Sequence, residues 1–401
     1  MSNLKKYCMY TAIYGIGFMF CSGAIMQTFL LQAGLSEHQV YLLTSLMQAA
    51  QVAMMCVMTF LSGKIKRVKQ VAGIARLSLA ILAAVFLIGA ANPDIVKKPY
   101  VVAVFITAGI CYLGVGLYNI LDYCLPYYII DMKDYGRMAA IGVALSGGCT
   151  FALSFLHTFI VAKFNYMQAM AWFFVLAIAC FATTSLMCLS MKEIHKREEG
   201  KKTTKEDMIA VFKNRDTYVL LIPNFVRGLT MGIMNVIAVI GISKGILNEQ
   251  TSSYINIVNC VAMLLGNVCF VITCKRVSTS TYLLIASVAV GGFLVFCLNG
   301  GLVQFLALFF FSCLFRYIAD TAIPVAITEI IPEKQIGAYT SIRMLLFTAG
   351  QAAAPLMITP MIGAIGYTGL MIFAALMQLI CCGTYYAVAV KEKRKRIFVE
   401  K

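Results

Sequence analysis

The sequence predicts an all-α polytopic membrane protein with twelve transmembrane helices in two pseudo-symmetric six-helix bundles. Three observations support this fold class: the composition, the length of the apolar segments, and a partial repeat between the two halves. Of the 401 residues, 61% are apolar and only 12% are charged, whereas soluble domains have about 45–50% and about 25%. The mean hydropathy is +0.85. This composition excludes a soluble enzyme, a secreted disulfide scaffold and a nucleic-acid binder.

Twelve apolar segments are long enough to cross a bilayer, since a spanning helix needs about 20 mostly apolar residues. They lie near residues 7–30, 38–62, 71–91, 100–130, 138–162, 166–190, 216–242, 250–273, 280–299, 302–330, 338–361 and 366–390. Turn residues follow several of them, including Gly34 and Ser36 after the first segment. The segments are too long and too continuously apolar for the alternating strands of a membrane barrel, so they are predicted to be helices.

The distribution of charge predicts the orientation in the membrane. The chain has 33 Lys and Arg residues against 17 Asp and Glu, a net charge of +16. Twenty-five of the basic residues lie on the side of the two termini and four on the opposite side. Because cytoplasmic loops carry the excess of Lys and Arg, both termini are predicted to be cytoplasmic, in a multi-pass protein of the plasma or inner membrane. The positive charge thus indicates orientation and not nucleic-acid binding.

A long polar stretch divides the chain in the middle. We predict an N-terminal six-helix bundle over residues 1–190, a cytoplasmic linker over 191–215, and a C-terminal six-helix bundle with a basic cytoplasmic tail over 216–401. A solvated, partly helical linker is favoured over a regulatory domain. Within it, residues 205–213 suggest a short surface helix with Met208, Ile209 and Phe212 on one side.

The two halves share a sequence pattern in their fourth spans. The pattern Asp-x3-Pro-x4-acid begins at Asp122 in the fourth segment and at Asp320 in the tenth, an offset of 198 residues. A span rich in small residues follows in each half, and small residues let helices approach closely in lipid. These small residues are Gly142, Gly147 and Gly148 in the fifth segment, and Gly350, Ala352, Ala353 and Ala354 in the eleventh.

Two six-span halves joined by a cytoplasmic loop resemble the major facilitator superfamily over essentially the whole chain. The basic loop Gly63-Lys-Ile-Lys-Arg67-Val-Lys-Gln70 is similar to that superfamily's loop between spans two and three, with Arg67 at the family's acid position. The segment Tyr118-Asn-Ile-Leu-Asp122 looks like the fourth span of the glycoside–pentoside–hexuronide:cation symporters, in which the matching acid helps bind the coupling cation. The resemblance implies that spans one, four, seven and ten line a central cavity.

Ionisable residues inside predicted spans point to a binding site, because such residues are costly in lipid and mark function by default. Arginine presents a planar fork suited to carboxylate or phosphate, and aspartate titrates when it is desolvated or loses its ion pair. Asp320 and Asp122 are therefore predicted to carry the coupling proton or cation. The predicted substrate-binding residues are Arg227, Arg316, Tyr118, Asn119, Tyr14 and Gln27.

A purely structural role remains the alternative for these charges. Buried ion pairs that only hold the bundle together could form between Arg316 and Asp320 and between Arg227 and Asp122.

A cytoplasmic gate is also predicted, in which the basic loop around Arg67 pairs with acids such as Asp131 and Glu329. A solvated loop is the alternative to this gate, since surface pairs often contribute little.

Other polar residues in the spans have simpler predicted roles. Arg76 and Arg343 lie within two turns of the predicted cytoplasmic face, so we expect their side chains to snorkel to that interface. Asn256, Asn259 and Asn267 in the eighth segment are predicted to form hydrogen bonds between helices, with cavity donors as the alternative.

These features predict a secondary transporter that moves a small polar organic solute by alternating access. Arg227 and Arg316 favour an anionic solute, and Asp320 or Asp122 favours coupling to protons. A proton-driven exporter of amphipathic compounds is the rival within transport, and a membrane-embedded enzyme or a receptor is the rival from another class. The expected partners are the substrate, H+ and the lipid bilayer, with a functional monomer. No cofactor or metal is expected, because the motifs for phosphate loops and metal sites do not occur.

Overall fold

The described part of the protein is helical throughout. The computed structural model describes residues 3–61, 65, 67–95, 97–130, 135–193, 205–213, 221–273, 277–331 and 336–399. Among these residues every regular element is an α-helix, apart from one 3-10 turn at Pro93–Ile95, and none is a strand. The predicted all-α class is therefore confirmed.

Among the described residues of the first half there are seven helices. They are α1 (Asn3–Cys21), α2 (Gly23–Gln32), α3 (Glu37–Leu61), α4 (Val68–Ala91), α5 (Lys98–Ile129), α6 (Tyr135–Lys163) and α7 (Tyr166–Ser190). The first predicted span consists of α1 and α2, which are separated at Ser22. The chain passes this break through Gly23 at φ 63, a left-handed conformation that glycine adopts without steric cost.

Seven further helices are described in the second half. They are α8 (Lys205–Lys213), α9 (Ile222–Asn235), α10 (Ile237–Ser243), α11 (Tyr254–Thr273), α12 (Thr279–Phe296), α13 (Leu302–Ile330) and α14 (Ile336–Val399). The seventh predicted span is the bent pair of α9 and α10, with an angle of 45° at the break. The last two spans are continuous in α14 except at Gly366, where φ is 70 and ψ is 179. Each of the twelve predicted segments is thus helical within its described residues, and nine of the described helices, or ten with the bent pair, are long and apolar enough to cross a membrane.

The turn predicted at Gly34 and Ser36 forms through two sets of local hydrogen bonds. Gly34 has φ 93, and Leu35 donates its backbone N–H to the Leu30 carbonyl at 3.0 Å, which ends α2 as glycine commonly ends a helix. The Ser36 hydroxyl then accepts from the Gln39 N–H at 3.3 Å, while the Gln39 side chain accepts from the Ser36 N–H at 2.9 Å. This reciprocal pair is a capping box that starts α3.

The helices pack into two compact units. One comprises Met1–Lys202 and Asn235–Cys260, and the other comprises Thr203–Met234 and Val261–Lys401. The first unit holds α1–α7 with α10, the second holds α8, α9 and α12–α14, and α11 contributes residues to both. The domains predicted from the sequence, 1–190 and 216–401 with a linker between them, remain a prediction.

Apolar stripes on the outer helix faces explain the high hydropathy. On α4, Ile74, Ile81 and Ile88 are 67%, 60% and 50% exposed. Their spacing of seven residues places them on one face after every two turns. An exposed apolar stripe of this kind suits a surface that lipid covers.

The short helix predicted over 205–213 forms, but the residue that it buries, Val211, is not one of those predicted to share its apolar face. Val211 is fully buried in the core of the second unit, beside residues such as Ile327. Ile209 and Phe212, which were predicted to share one face with Met208, are both more than half exposed. The rest of the predicted linker lies mostly outside the described residues.

Small residues bring α9 and α14 together in the second unit. A Cβ placed on Gly228 would lie 2.1 Å from the Phe347 carbonyl oxygen, and one on Gly350 would lie 2.3 Å from the Phe225 carbonyl oxygen. The close approach predicted for the eleventh span is therefore confirmed. In the fifth span, Cβ atoms at Gly142 and Gly148 would meet no described atom within 4 Å, so these two glycines mark no close approach, and the expectation for the span as a whole stays a prediction.

Candidate functional site

A buried arginine surrounded by tyrosines lies in the first unit. Arg76, on α4, is only 1% exposed. Its terminal Nη2 is 3.0 Å from Oδ1 of Asp122. The guanidinium carbon lies 3.7 Å from the ring centroid of Tyr10, 4.1 Å from that of Tyr14 and 4.6 Å from that of Tyr118. These four partners form what we call the Arg76 cage.

Helical spacing assembles the Arg76 cage. Tyr10 and Tyr14 are four residues apart on α1, and Tyr118 and Asp122 are four residues apart on α5, so each pair lies on one helix face. The Tyr10 hydroxyl also donates to Oδ1 of Asp122 at 3.1 Å. The cage therefore joins three helices around one cation.

The cage corrects the prediction that Arg76 snorkels to the cytoplasmic interface. A buried arginine needs a counter-charge and hydrogen-bond partners, because removing a lone charge from water costs several kcal/mol. Asp122 supplies the counter-charge, and aromatic faces attract the cation further. The side chain of Asp122 stays 24% exposed, so water reaches the anion but not the cation.

A second charged cluster lies in the second unit. Arg227 on α9 forms an ion pair with Asp320 on α13. Nε of Arg316 lies 4.0 Å from the other carboxylate oxygen of Asp320, one turn away on the same helix. The side chain of Asp320 is 33% exposed, whereas those of Arg227 and Arg316 are 6% and 10% exposed.

These contacts test the two ion pairs that the sequence offers together as a structural alternative. Arg316 and Asp320 are neighbours, as predicted. The other pair of that alternative, Arg227 with Asp122, does not form, because Arg227 binds Asp320 and Asp122 binds Arg76. Residues four apart on a helix are recognisable from spacing, whereas the partner on another helix is not.

A cavity of about 400 Å³ lies within the first unit. Its described lining includes no Asp, Glu, Lys, Arg or His residue. Hydroxyl and amide side chains supply its polar character, and we call it the amide cavity. The polar lining residues are Ser22, Gln27, Thr44, Gln48, Thr150, Asn235, Asn256 and Asn259, with Tyr112 beside them.

Gln27 has a fixed orientation in the amide cavity. Its Nε2 donates to the backbone carbonyl of Asn235 at 3.0 Å. A carbonyl can only accept, so the amide nitrogen of Gln27 must point to Asn235 and Oε1 must point away. Oε1 is buried and has no hydrogen-bond partner among the described residues. Gln27 itself is 1% exposed.

Both helix breaks described above lie at the amide cavity. Ser22 and Gly23, between α1 and α2, line it, as does Asn235 at the end of α9. A helix that ends leaves its last carbonyls without intrahelical donors, which is why the Asn235 carbonyl can bind Gln27. Gly23 signals the first break in the sequence, but nothing in the sequence marks the second.

The structure distributes the predicted substrate-binding residues over three places. Arg227 and Arg316 belong to the second charged cluster, and Tyr14 and Tyr118 belong to the Arg76 cage. Gln27 alone lines the amide cavity. Asn119, which is half-buried on α5, lies neither in the cage nor in the described lining of the cavity.

The predicted cytoplasmic gate remains a prediction. Arg67 is exposed just before α4. Asp131 lies outside the described residues, as does the side chain of Glu329 in α13. A neighbouring base, Lys69, donates to the carbonyl of Met191 at the end of α7 at 3.0 Å, where a cation complements the helix dipole.

Sequence reasoning missed two groups of site residues. Arg76 was missed because its depth in the span says nothing about the direction of its side chain, although the tyrosine spacing on α1 was a usable signal. Asn256 and Asn259 were assigned to helix contacts by default, but both line the amide cavity.

No known family profile and no curated protein matches the chain. Solved structures do match it over nearly their full length. The nucleoside transporter NupG has a TM-score of 0.66 at 14% identity, with 98% of this chain and 99% of that chain covered. This chain has the major facilitator fold.

Two symporters give the same result. The fucose:proton symporter FucP of E. coli has a TM-score of 0.65 at 12% identity, with 97% of this chain and 98% of that chain covered. A D-xylose-proton symporter has a TM-score of 0.68 at 13% identity, with 95% and 96% covered. The fold implied by the sequence resemblance is thus confirmed, and the low identities extend the likeness no further than the fold.

Proposed function

We propose that the protein is a secondary transporter that moves a small polar organic solute by alternating access and couples this movement to protons. One observation carries the proposal: each unit contains a partly exposed aspartate that is paired with a buried arginine. These aspartates are Asp122 with Arg76 and Asp320 with Arg227.

Such a pair is suited to coupling because its two members respond differently to water. Protonation neutralises the exposed aspartate, whereas the arginine keeps its charge at all accessible pH values. The buried cation then lacks its counter-charge, which disfavours that arrangement of the helices by several kcal/mol. A conformational equilibrium shifts by as much as the two states differ in such an interaction.

The similar structures support this kind of function without identifying the cargo. Two are described as proton symporters, for fucose and for D-xylose, and one as a nucleoside transporter. All three names concern small polar solutes. A cell-membrane location, cytoplasmic termini and a functional monomer complete the proposal.

An anionic solute is a second candidate, and one observation favours it. In the second unit two buried arginines, Arg227 and Arg316, lie beside the single carboxylate of Asp320. The cluster thus offers two planar guanidinium groups, which suit the bidentate geometry of a carboxylate or phosphate of the solute.

Uptake into proteoliposomes tests the proposal. A pH gradient, acid outside, should drive accumulation by the unmodified protein, while Asp320→Asn and Asp122→Asn should abolish accumulation against a gradient. Asp94→Asn is the matched control, because Asp94 is an exposed acid in the turn after α4. Undiminished pH-driven accumulation by both aspartate variants would contradict proton coupling.

A further inference from the structure

The chemistry of the amide cavity bears on which solute the protein accepts. The cavity volume of about 400 Å³ is at the small end of ligand pockets, which span about 300–1,000 Å³. Its polar lining residues carry amide and hydroxyl side chains. Such groups can both accept a hydrogen bond from a solute hydroxyl and donate one to it, since a hydroxyl donates one hydrogen bond and accepts others.

An anionic solute would bind poorly in the amide cavity. Moving a carboxylate or phosphate out of water is costly unless a charge compensates it, and the described lining supplies none. The buried Arg76 of the same unit is not among the described lining residues. Arg76 and Arg227 already have carboxylate partners in Asp122 and Asp320.

Gln27 adds a directional requirement. Its nitrogen is bound to the Asn235 carbonyl, so the group it presents is an oxygen that only accepts. A buried acceptor without a donor costs about 1–3 kcal/mol. A solute that donates a hydrogen bond to this oxygen removes that cost, whereas an anionic oxygen placed there would be repelled.

We infer that the amide cavity binds an uncharged, hydroxyl-rich solute and that one hydroxyl or N–H of this solute donates to Oε1 of Gln27. This inference rests on the proposed transport function and specifies its substrate class. Gln27 is accordingly a specificity-determining residue, and its partner Asn235 is a positioning residue that acts through its backbone carbonyl.

Matched pairs of probes test the inference on the purified full-length protein. The pairs are D-galactose with D-galacturonate, D-ribose with ribose 5-phosphate, and uridine with uridine 5′-monophosphate. Each pair shares a skeleton and differs in charge. Binding is measured by titration calorimetry and by the shift of the melting temperature. At least one neutral member should bind, at least about 10-fold more tightly than its charged partner.

Variants of Gln27 test the direction of the hydrogen bond. Gln27→Met keeps the length of the side chain but removes the acceptor, and should weaken binding of the neutral probe about 10-fold. Gln168→Met is the matched control, because Gln168 is an exposed amide in the first turn of α7 that does not line the cavity. It should leave binding unchanged.

Deoxy analogues give a readout that does not depend on the folding of any variant. Removal of the one hydroxyl that donates to Gln27 should weaken binding to the unmodified protein, and Gln27→Met should bind this analogue and the parent probe equally. Anionic members that bind as tightly as their neutral partners would overturn the inference, as would the absence of binding by every neutral probe. Proton-driven uptake in proteoliposomes is scored separately, so transport of an anion would overturn the substrate class and leave the transport proposal intact.

Discussion

The guanidinium of Arg76 lies 3.0 Å from the carboxylate of Asp122, in a pair whose members differ sharply in exposure. The side chain of Arg76 is 1% exposed and that of Asp122 is 24% exposed. Three tyrosine rings hold the cation in place. The cation is thus buried, whereas its carboxylate partner is partly exposed.

Removal of only one member of this pair should destabilise the protein. Asp122→Asn leaves the buried Arg76 without its counter-charge, at a cost of roughly 3 kcal/mol. The double variant Arg76→Met with Asp122→Asn removes the charge as well and should recover much of that loss. Thermal melting in detergent measures both. A double variant that is less stable than Asp122→Asn alone would contradict this account of the pair.

The ring and the hydroxyl of Tyr10 should contribute separately. Tyr10→Phe removes the hydrogen bond to Asp122 and keeps the ring over Arg76, so we expect a loss of about 0.5–1.5 kcal/mol. Tyr10→Leu removes the ring too and should cost about 1 kcal/mol more through the lost cation–π contact. The same melting experiment separates the two, and equal stability of the two variants would show that the ring contributes nothing beyond apolar burial.

The close approach of α9 and α14 should tolerate no added methyl group. Gly228→Ala would place a Cβ against the Phe347 backbone, so we expect destabilisation by about 1–3 kcal/mol. Gly383→Ala is the matched control on α14, since a Cβ there meets nothing within 4 Å. The control should be neutral or slightly stabilising because alanine favours helices. A Gly228→Ala protein that melts with the control would contradict the tight packing.

Most of the fold could be predicted because each span has its own local signal. An apolar segment of about 20 residues is read without knowledge of its neighbours, and turn residues such as Gly34 mark the ends. The break within the seventh span had no such signal, since Asn235 and Val236 also occur in continuous helices. It becomes visible only in the folded chain, as the 45° bend between α9 and α10.

The candidate site could be predicted only where its geometry is local. Arg316 and Asp320 share a face because they are four residues apart, and this neighbourhood was predicted correctly. The partner of Arg227 depends on how separate helices pack, and a single sequence does not determine that choice among several buried charges. The side-chain direction of Arg76 is undetermined for the same reason.

Loss of the carboxylate at Asp320 should separate proton coupling from solute movement. Asp320→Asn should keep solute counterflow, which requires no net proton movement, and should lose accumulation driven by a pH gradient. The expected cause is that the asparagine cannot exchange a proton with the water that reaches this partly exposed position. Equal losses in counterflow and in driven uptake would indicate that Asp320 serves solute binding or folding instead.

Solute-induced proton movement tests the central claim most directly. Proteoliposomes that contain the unmodified protein and a trapped pH indicator receive D-xylose, L-fucose or uridine from outside, without an imposed gradient. We predict that at least one solute acidifies the lumen in the unmodified protein, and that Asp320→Asn abolishes the signal while Asp94→Asn preserves it. Solute entry at an unchanged luminal pH, or an Asp320→Asn signal equal to that of the unmodified protein, would contradict proton-coupled transport through this site.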